Sequence, residues 1–184
     1  MTQIQVRQAL VSDRQAIPGV ILAAFGDAQG GGIVDLVFDL LEDESAQPLL
    51  SLVAAVDDRV IGHILFTSAR IQPPVREAPS SILAPLAVHP NYQGQGMGGL
   101  LIEAGLERLR ALEVGLVFVL GHPGYYPRHG FSPAGMQGFD APYPIPPGDA
   151  DAWMVQELRP GIIGRVSGRV ACARALDDPR HWQE

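Results

Sequence analysis

The 184-residue chain contains no lysine, and all 13 of its basic residues are arginine. That absence excludes any site built on a lysine amine: a P-loop ending in GK[ST], a Schiff base, a pyridoxal phosphate lysine. The single cysteine, Cys172, permits no internal disulfide, and the five histidines (63, 89, 122, 129 and 181) have no cysteine or acidic cluster at metal-ligand spacing. A reducing cytoplasm and no metal are the corresponding expectations. Long apolar runs are missing too. IVDLVF, ILAPLAV and VGLVFVL fall well short of the roughly 20 residues of a membrane span, and the N-terminal MTQIQVRQALVSDR is polar where a signal peptide has its apolar segment. Aromatics make up 7% of the chain, and 20 acidic residues against 13 arginines give a net charge of −7, which argues against a phosphate-neutralising nucleic-acid surface. Arg159, Arg165, Arg169, Arg174 and Arg180 are spread through the tail, the pattern of solvated surface charge.

What is present suits one soluble domain over residues 1–184. Hydrophobic residues are 47% of the chain, and a domain of this length buries about 70% of its unfolded surface. After an alternating Ile4-x-Val6, Ser12-Asp13-Arg14-Gln15 has the form of a capping box opening a helix through Ile17, Ile21, Leu22 and Phe25, with Pro18 as the first regular helical residue. Gly30-Gly31-Gly32 reads as a link to a second helix carrying Ile33, Leu36, Val37, Leu40 and Leu41 on one face. Leu49 to Val56 and Val60 to Thr67 form a predicted hairpin about Asp57-Asp58-Arg59. Ile82 to Val88 is a strand in which Pro85 removes a ladder donor, so a bulge or a parting from a neighbour is expected there. A helix of about four turns then starts near Met97, followed by a strand over Val114 to Leu120. Ala141 to Gly148, with four prolines, is a stiff connector, and Trp153 to Leu158 and Ile162 to Val170 are strand-like.

The chemistry concentrates in the strand-turn-helix ILAPLAV-HPNY-QGQGMGG-LLIEAGLERL. A helix N-terminus reached through a glycine-rich turn offers unpaired N–H groups and a positive dipole end to an anion. Gly94, Gly96 and Gly98 remove side chains where a ligand must approach the backbone, although the same spacing also suits a loop that merely caps a helix. Gly94 to Gly99 satisfies the string of a dinucleotide fingerprint, but no carboxylate stands about 20 residues on to hold a ribose.

Gln93-Gly94-Gln95-Gly96-Met97-Gly98 matches the Q/R-x-x-G-x-G/A motif, and Tyr126-Pro127-Arg128-His129-Gly130-Phe131 the Y-x-x-x-G-F signature, of the GNAT superfamily of acyl-CoA-dependent N-acyltransferases. Together with Val60-Ile61-Gly62-His63-Ile64, LAPLAV and the tail WMVQELRPG, the chain resembles a bacterial branch of predicted N-acetyltransferases from Ile4 to about Gly168. The resemblance implies an α/β (α+β) fold: a mixed, mostly antiparallel central sheet flanked by helices, with a splayed strand pair around the cofactor. It implies acetyl-CoA as cosubstrate, its pyrophosphate on backbone amides of Gln93, Gly94, Gln95, Gly96, Met97 and Gly98, and its pantetheine arm along Leu86, Ala87 and Val88. A small-molecule or N-terminal amine is the implied acceptor, and the resemblance leaves room for a homodimer.

Transfer from a thioester to an amine needs a neutral amine, a stabilised oxyanion and a proton for the departing thiolate. By resemblance, Tyr126 is the acid and the Val88 N–H the oxyanion donor; the alternative for Tyr126 is a packing aromatic. His122 is the titratable candidate for a base, against a capping role in its loop. His63 reads as structural, His89 as shaping the loop after its strand, and His129 stands where the signature commonly has an aromatic. The acceptor walls implied are Phe25 to Glu44 and Gln137 to Asp151, with Asp35, Asp39, Glu42, Asp43 and Glu44 as solvated helix charge. The tail VACARALDD departs from the branch. A non-catalytic acyl-CoA-binding module is the competing reading.

Overall fold

A computed structural model of the chain describes residues 3–75 and 78–183. Its sheet is built from β1 (Ile4–Gln8), β2 (Leu50–Val56), β3 (Arg59–Gln72), β4 (Ser80–Val88), β5 (Leu116–Leu120), β6 (Ser132–Pro133), β7 (Phe139–Asp140), β8 (Trp153–Glu157) and β9 (Gly168–Ala171). The order is β1-β2-β3-β4-β5-β8-β6, with β9 pairing the far part of β3 and β7. Every pairing is antiparallel except β4–β5 and β7–β9. The mixed, mostly antiparallel architecture implied by the resemblance is therefore present. Among the described residues no helix is long and apolar enough to cross a membrane.

Helices cover both faces. On one, α1 (Ile17–Phe25) and α2 (Asp27–Glu42) bury Ile17, Val20, Ile21, Val37 and Leu40 against Val53, Leu65 and Ile82. On the other, α3 (Met97–Ala111) buries Met97, Leu101, Ile102, Leu106 and Leu109 against Leu52, Ile64, Phe66 and Val117. Alternation along the strands sends successive residues to opposite cores, so β2 and most of β3 are buried throughout. The tail closes the first core. Trp182 packs edge-on to Trp153 at 5.6 Å, and Trp153 stacks on Phe118 at 5.3 Å. The indole N–H groups donate to Phe139 O and Leu176 O, both at 3.0 Å.

Three sequence expectations are corrected. The segment before α1 is a 3-10 turn over Val11–Gln15, and its cap is Asp13 rather than Ser12: the carboxylate accepts the Leu10 N–H at 2.6 Å and both Arg7 guanidinium nitrogens at 2.6 and 3.0 Å. The turn therefore starts two residues earlier than the Ser12 box would place it, with Asp13, held by Arg7, in the third position reaching back to the Leu10 N–H. Gly30-Gly31-Gly32 lies inside α2, and the chain instead breaks at Gly26, with φ of 80°. Gly30 has a packing reason, since a Cβ there would sit 2.9 Å from Leu22 Cδ2 and hold the two helices apart. Lastly, of the run Ile162 to Val170 only residues 168–170 are strand, within β9, because left-handed Gly161 and Gly164 turn the preceding segment into a loop.

The predicted hairpin is present. Asp57 and Asp58 occupy left-handed φ of 48° and 66°, the pair of positive values that a two-residue turn matching the strand twist demands.

Candidate functional site

The site begins with a parting of strands. β4 and β5 pair in parallel only from Ser80↔Leu116 to Leu83↔Val119, and beyond that the register ends. Pro85, without an N–H, sits just past the last pair, and the β3–β4 ladder shifts register between Ile64↔Leu86 and Phe66↔Leu83, leaving Ala84 and Pro85 bulged against Leu65. Ala84, Pro85 and Leu86 are half-buried in a strand otherwise interior.

The ladder fixes which backbone groups face the resulting notch. His89 N–H donates to Ile61 O at 2.8 Å, with Val88 opposite Gly62 and Ala87 opposite His63. Alternation then turns the amide of Ala87 toward β3 and those of Leu86 and Val88 toward the notch. Gln93 gives independent support: its Nε2 donates to Val88 O at 2.8 Å from the notch side. Of the three expected arm-binding residues, Leu86 turns both its backbone groups and Val88 its N–H toward the notch, the Val88 carbonyl being held by Gln93, while Ala87 contributes a buried methyl.

Gln93 also ties the motif loop to the end of β4, and Gln95 Nε2 steadies the turn by donating to Asn91 O at 3.1 Å. Gly94 and Gly96 take φ of 73° and 84°, which L side chains rarely adopt. The first α3 hydrogen bond is Leu100 N–H to Gly96 O at 3.0 Å, so the amides of Met97, Gly98 and Gly99 have no acceptor within the helix. Met97 sends its side chain into the core beneath them. The six motif-loop residues and the β4 edge therefore meet at one place, the α3 N-terminus.

The segment after β5 roofs this place. Gly121 lets the Tyr126 ring lie against the end of β5, where a Cβ would come within 2.4 Å of Tyr126 Cε2. Tyr126 is 9% exposed, edge-on to Phe131 at 5.7 Å and to Tyr125 at 5.1 Å. Burial and the neighbouring Tyr125 hold its hydroxyl protonated well above the ordinary phenol range. Sequence reasoning did not place the hydroxyl of the neighbouring Tyr125. It sits over Gly98, where a Cβ would be 2.3 Å from Tyr125 Oη, and Arg128 lies 5.2 Å from the Tyr125 ring centre. His129 packs in the same way on Gly99. The paired Gly98-Gly99 was the available signal that something lies close to the first turn of α3.

Histidine placement is decisive in a different sense. His122 Nδ1 accepts the Gly124 N–H at 3.2 Å. The neutral ring consequently carries its proton on Nε2. His89 Nδ1 accepts the Asn91 N–H at 3.2 Å, shaping the loop before Gln93. His63 is fully buried, bonded through Nε2 to Ser51 Oγ at 2.9 Å, and burial pulls its pKa down to about 4. Among the described residues, no group of three or more His, Cys, Asp or Glu is assembled that could hold a metal.

The tail is tied to the α2 side. Asp43 accepts N–H groups of Ser45 at 2.8 Å and Ala175 at 2.9 Å, and Tyr143 Oη donates to Asp177 at 2.9 Å. VACARALDD therefore braces α2 and the 141–148 connector through its own contacts.

Comparison with known proteins matches the acetyltransferase (GNAT) family model over residues 24–131. The chain is 48% identical over 163 residues to the uncharacterized N-acetyltransferase YjhQ of Escherichia coli K12, covering 88% of each protein. It is 31% identical to the uncharacterized N-acetyltransferase YhbS of the same strain, covering 90% of this chain and 93% of the relative. The crystal structure of E. coli YhbS in complex with CoA superimposes with a TM-score of 0.83 over 97% of this chain and 94% of that one, at 29% identity. A GNAT family acetyltransferase of Brucella melitensis in complex with acetyl-CoA gives 0.70 over 95% and 99%, at 28% identity. A notch, an amide-lined turn and a phenolic roof in this order along the chain are thus accompanied by relatedness across most of its length, and the protein belongs to the GNAT family of N-acetyltransferases.

Proposed function

We propose that residues 1–184 act as one acetyltransferase unit that moves an acetyl group from acetyl-CoA to the primary amine of a small molecule or an N-terminus, with Tyr126 as general acid. The observation that carries this reading is the parting of β4 from β5 beyond Leu83↔Val119, which leaves the Leu86 edge groups and the Val88 N–H unpaired by β5 close to the α3 N-terminus. CoA- and acetyl-CoA-bound relatives of the same fold support acetyl-CoA as the cosubstrate.

The residues present fit that molecule. Unpaired amides of Met97, Gly98 and Gly99 suit a pyrophosphate, with Gln93, Gly94, Gln95 and Gly96 holding the turn that aims them. Leu86 and Val88 suit the amide groups of a pantetheine arm, which would run as an added strand. Acetyl-CoA supplies the thioester, whose C–S bond breaks as the carbonyl carbon bonds to the amine nitrogen. Val88 N–H donates to the carbonyl oxygen where negative charge gathers. Tyr126 delivers its phenolic proton to the departing sulfur and recovers one, through water, from the nitrogen that has gained the acetyl group. The burial that keeps Tyr126 protonated at neutral pH suits it to giving a proton rather than taking one. His122, whose Nδ1 accepts the Gly124 N–H in the loop after β5, is the base candidate of this reading.

Calorimetric titration of acetyl-CoA, followed by release of CoA thiol across a panel of primary amines, tests the reading. Sub-millimolar binding with amine-dependent thiol release is expected. Absence of binding overturns the cofactor site; binding without release for any amine favours an acyl-CoA-binding module without turnover.

A further inference from the structure

The end of the molecule opposite the notch holds a cavity of about 450 Å³, walled by Val75 and by the loop that joins β8 to β9. Two of its lining residues are Arg159 and Arg165. We propose that this cavity binds a small multivalent oxyanion, of the phosphomonoester or polycarboxylate kind, between the two guanidinium groups.

The loop is a built structure. Ile162 anchors it at the foot of the parallel pair: a Cβ on Gly115, just before β5, would lie 2.5 Å from Ile162 Cδ1. The Glu157 carboxylate accepts the Ile162 and Ile163 N–H groups at 3.2 and 3.0 Å, and Arg165 and Val166 donate back to Ile162 O at 3.0 and 3.1 Å. Gly161 and Gly164, at φ of 89° and 92°, permit the reversal. The arginines therefore hang from a turn whose shape is set by its own hydrogen bonds. Arg159 is oriented further, donating through one nitrogen to Glu113 O at 3.3 Å, which leaves the rest of its fork available.

Two arginines share this one concavity in a protein of net charge −7. Arg7, Arg14, Arg174 and Arg180 are paired with Asp13, Glu42, Asp43 and Asp178, whereas Arg159 and Arg165 belong with the arginines that make no ion pair among the described residues, and what sets these two apart is that they line the same wall. Among the described residues neither Arg159 nor Arg165 has an acidic partner, and no carboxylate lines the wall. Glu157, the acid nearest along the chain, is engaged by backbone amides. Two like charges on one concave surface repel, and a shared oxyanion turns that cost into charge-assisted hydrogen bonds. Ser167 adds a hydroxyl to the wall, while Val75, Pro160 and Val166 give an apolar flank for a short organic body. The volume lies within the range of small-molecule sites.

The experiment is a titration followed by backbone-amide and arginine Nε resonances, run with and without saturating CoA so that anions at the α3 N-terminus are told apart by position. Inorganic phosphate, glycerol 3-phosphate and succinate are the probes. Saturable shifts confined to residues 159–167, unaffected by CoA, are expected with at least one of them, and which one separates phosphate from carboxylate recognition. Affinity should fall at least about tenfold in Arg165→Gln and further in Arg159→Gln/Arg165→Gln, while Arg169→Gln leaves it unchanged. No saturable shift at 159–167 with any probe overturns the proposal, as do shifts that persist undiminished in the double variant. The wild-type titration decides on its own should a variant unfold.

Discussion

The two ends of the β4–β5 pair have opposite characters. From Ser80↔Leu116 to Leu83↔Val119 the strands are zipped, buried on both faces, and backed by the Phe118–Trp153 stack. Past Leu83 the same strands separate, and β4 turns backbone groups that β5 no longer pairs toward the notch. One proline and a one-residue shift against β3 mark the boundary. A fold can thus anchor a reactive opening by burying the adjacent four residues of the same pair. Stability and function occupy neighbouring stretches of one strand, and substitutions should separate them cleanly.

The largest effect belongs to the zipped end. Phe118→Ala removes a ring stacked on Trp153 and edge-on to Phe139 at 5.3 Å, and should cost about 3–5 kcal/mol in urea unfolding. Acetyl-CoA affinity of the protein that remains folded should be unchanged; a matching loss of affinity would erase the contrast between the ends.

His63, beside Ala87 at the notch end, gives the next effect, through pH. Its folded pKa of about 4 lies below the ordinary imidazole value, so the unfolded chain binds the extra proton. Stability should fall by about 3 kcal/mol as pH drops from about 6.5 toward 4, and level off below. Asp13 faces His63 and favours its charged form, and Arg7 holds that carboxyl below its usual range, so the Asp13 contribution is lost only at lower pH. His181 is shifted in the same direction as His63 by partial burial and adds a shallower slope. Urea unfolding of His63→Asn should retain only that shallower slope; an unaltered pH dependence would refute the assignment.

Tyr126→Phe probes the roof of the notch. Loss of a general acid should lower kcat by about a hundredfold or more, with acetyl-CoA affinity within about threefold of wild type. Equal turnover would return Tyr126 to a packing role. The smallest change is expected from Gln93→Ala, which loses one bond to Val88 O and should weaken acetyl-CoA binding by about fivefold, with kcat little altered.

Much of the notch was legible because its signals are local. Glycine spacing before an amphipathic helix, and a proline inside an apolar strand, act on their own backbone wherever the chain goes. Tyr126 was found by resemblance alone. The misreadings arose where a partner remote in sequence decides. Gly30 is helical because Leu22 must pass it, and Asp13 caps because Arg7 from β1 holds it. The 158–167 loop looked strand-like because Ile162, Ile163 and Val166 are β-branched. Its three apolar anchors instead pin a turn, which no period of two or 3.6 describes. The arginines of that loop carried no sequence signal, since their distinction is that they line one concavity formed only on folding.

The indole pair has a practical corollary. The chain has two tryptophans, and both lie in the one stack that joins β8 to the last turn. Intrinsic emission and the near-ultraviolet dichroism of that coupled pair therefore form a built-in optical gauge of whether the C-terminal segment is docked. Trp153 also stands opposite Leu120, one residue past the last β4–β5 pair, so the same emission should register events at the notch end of β5.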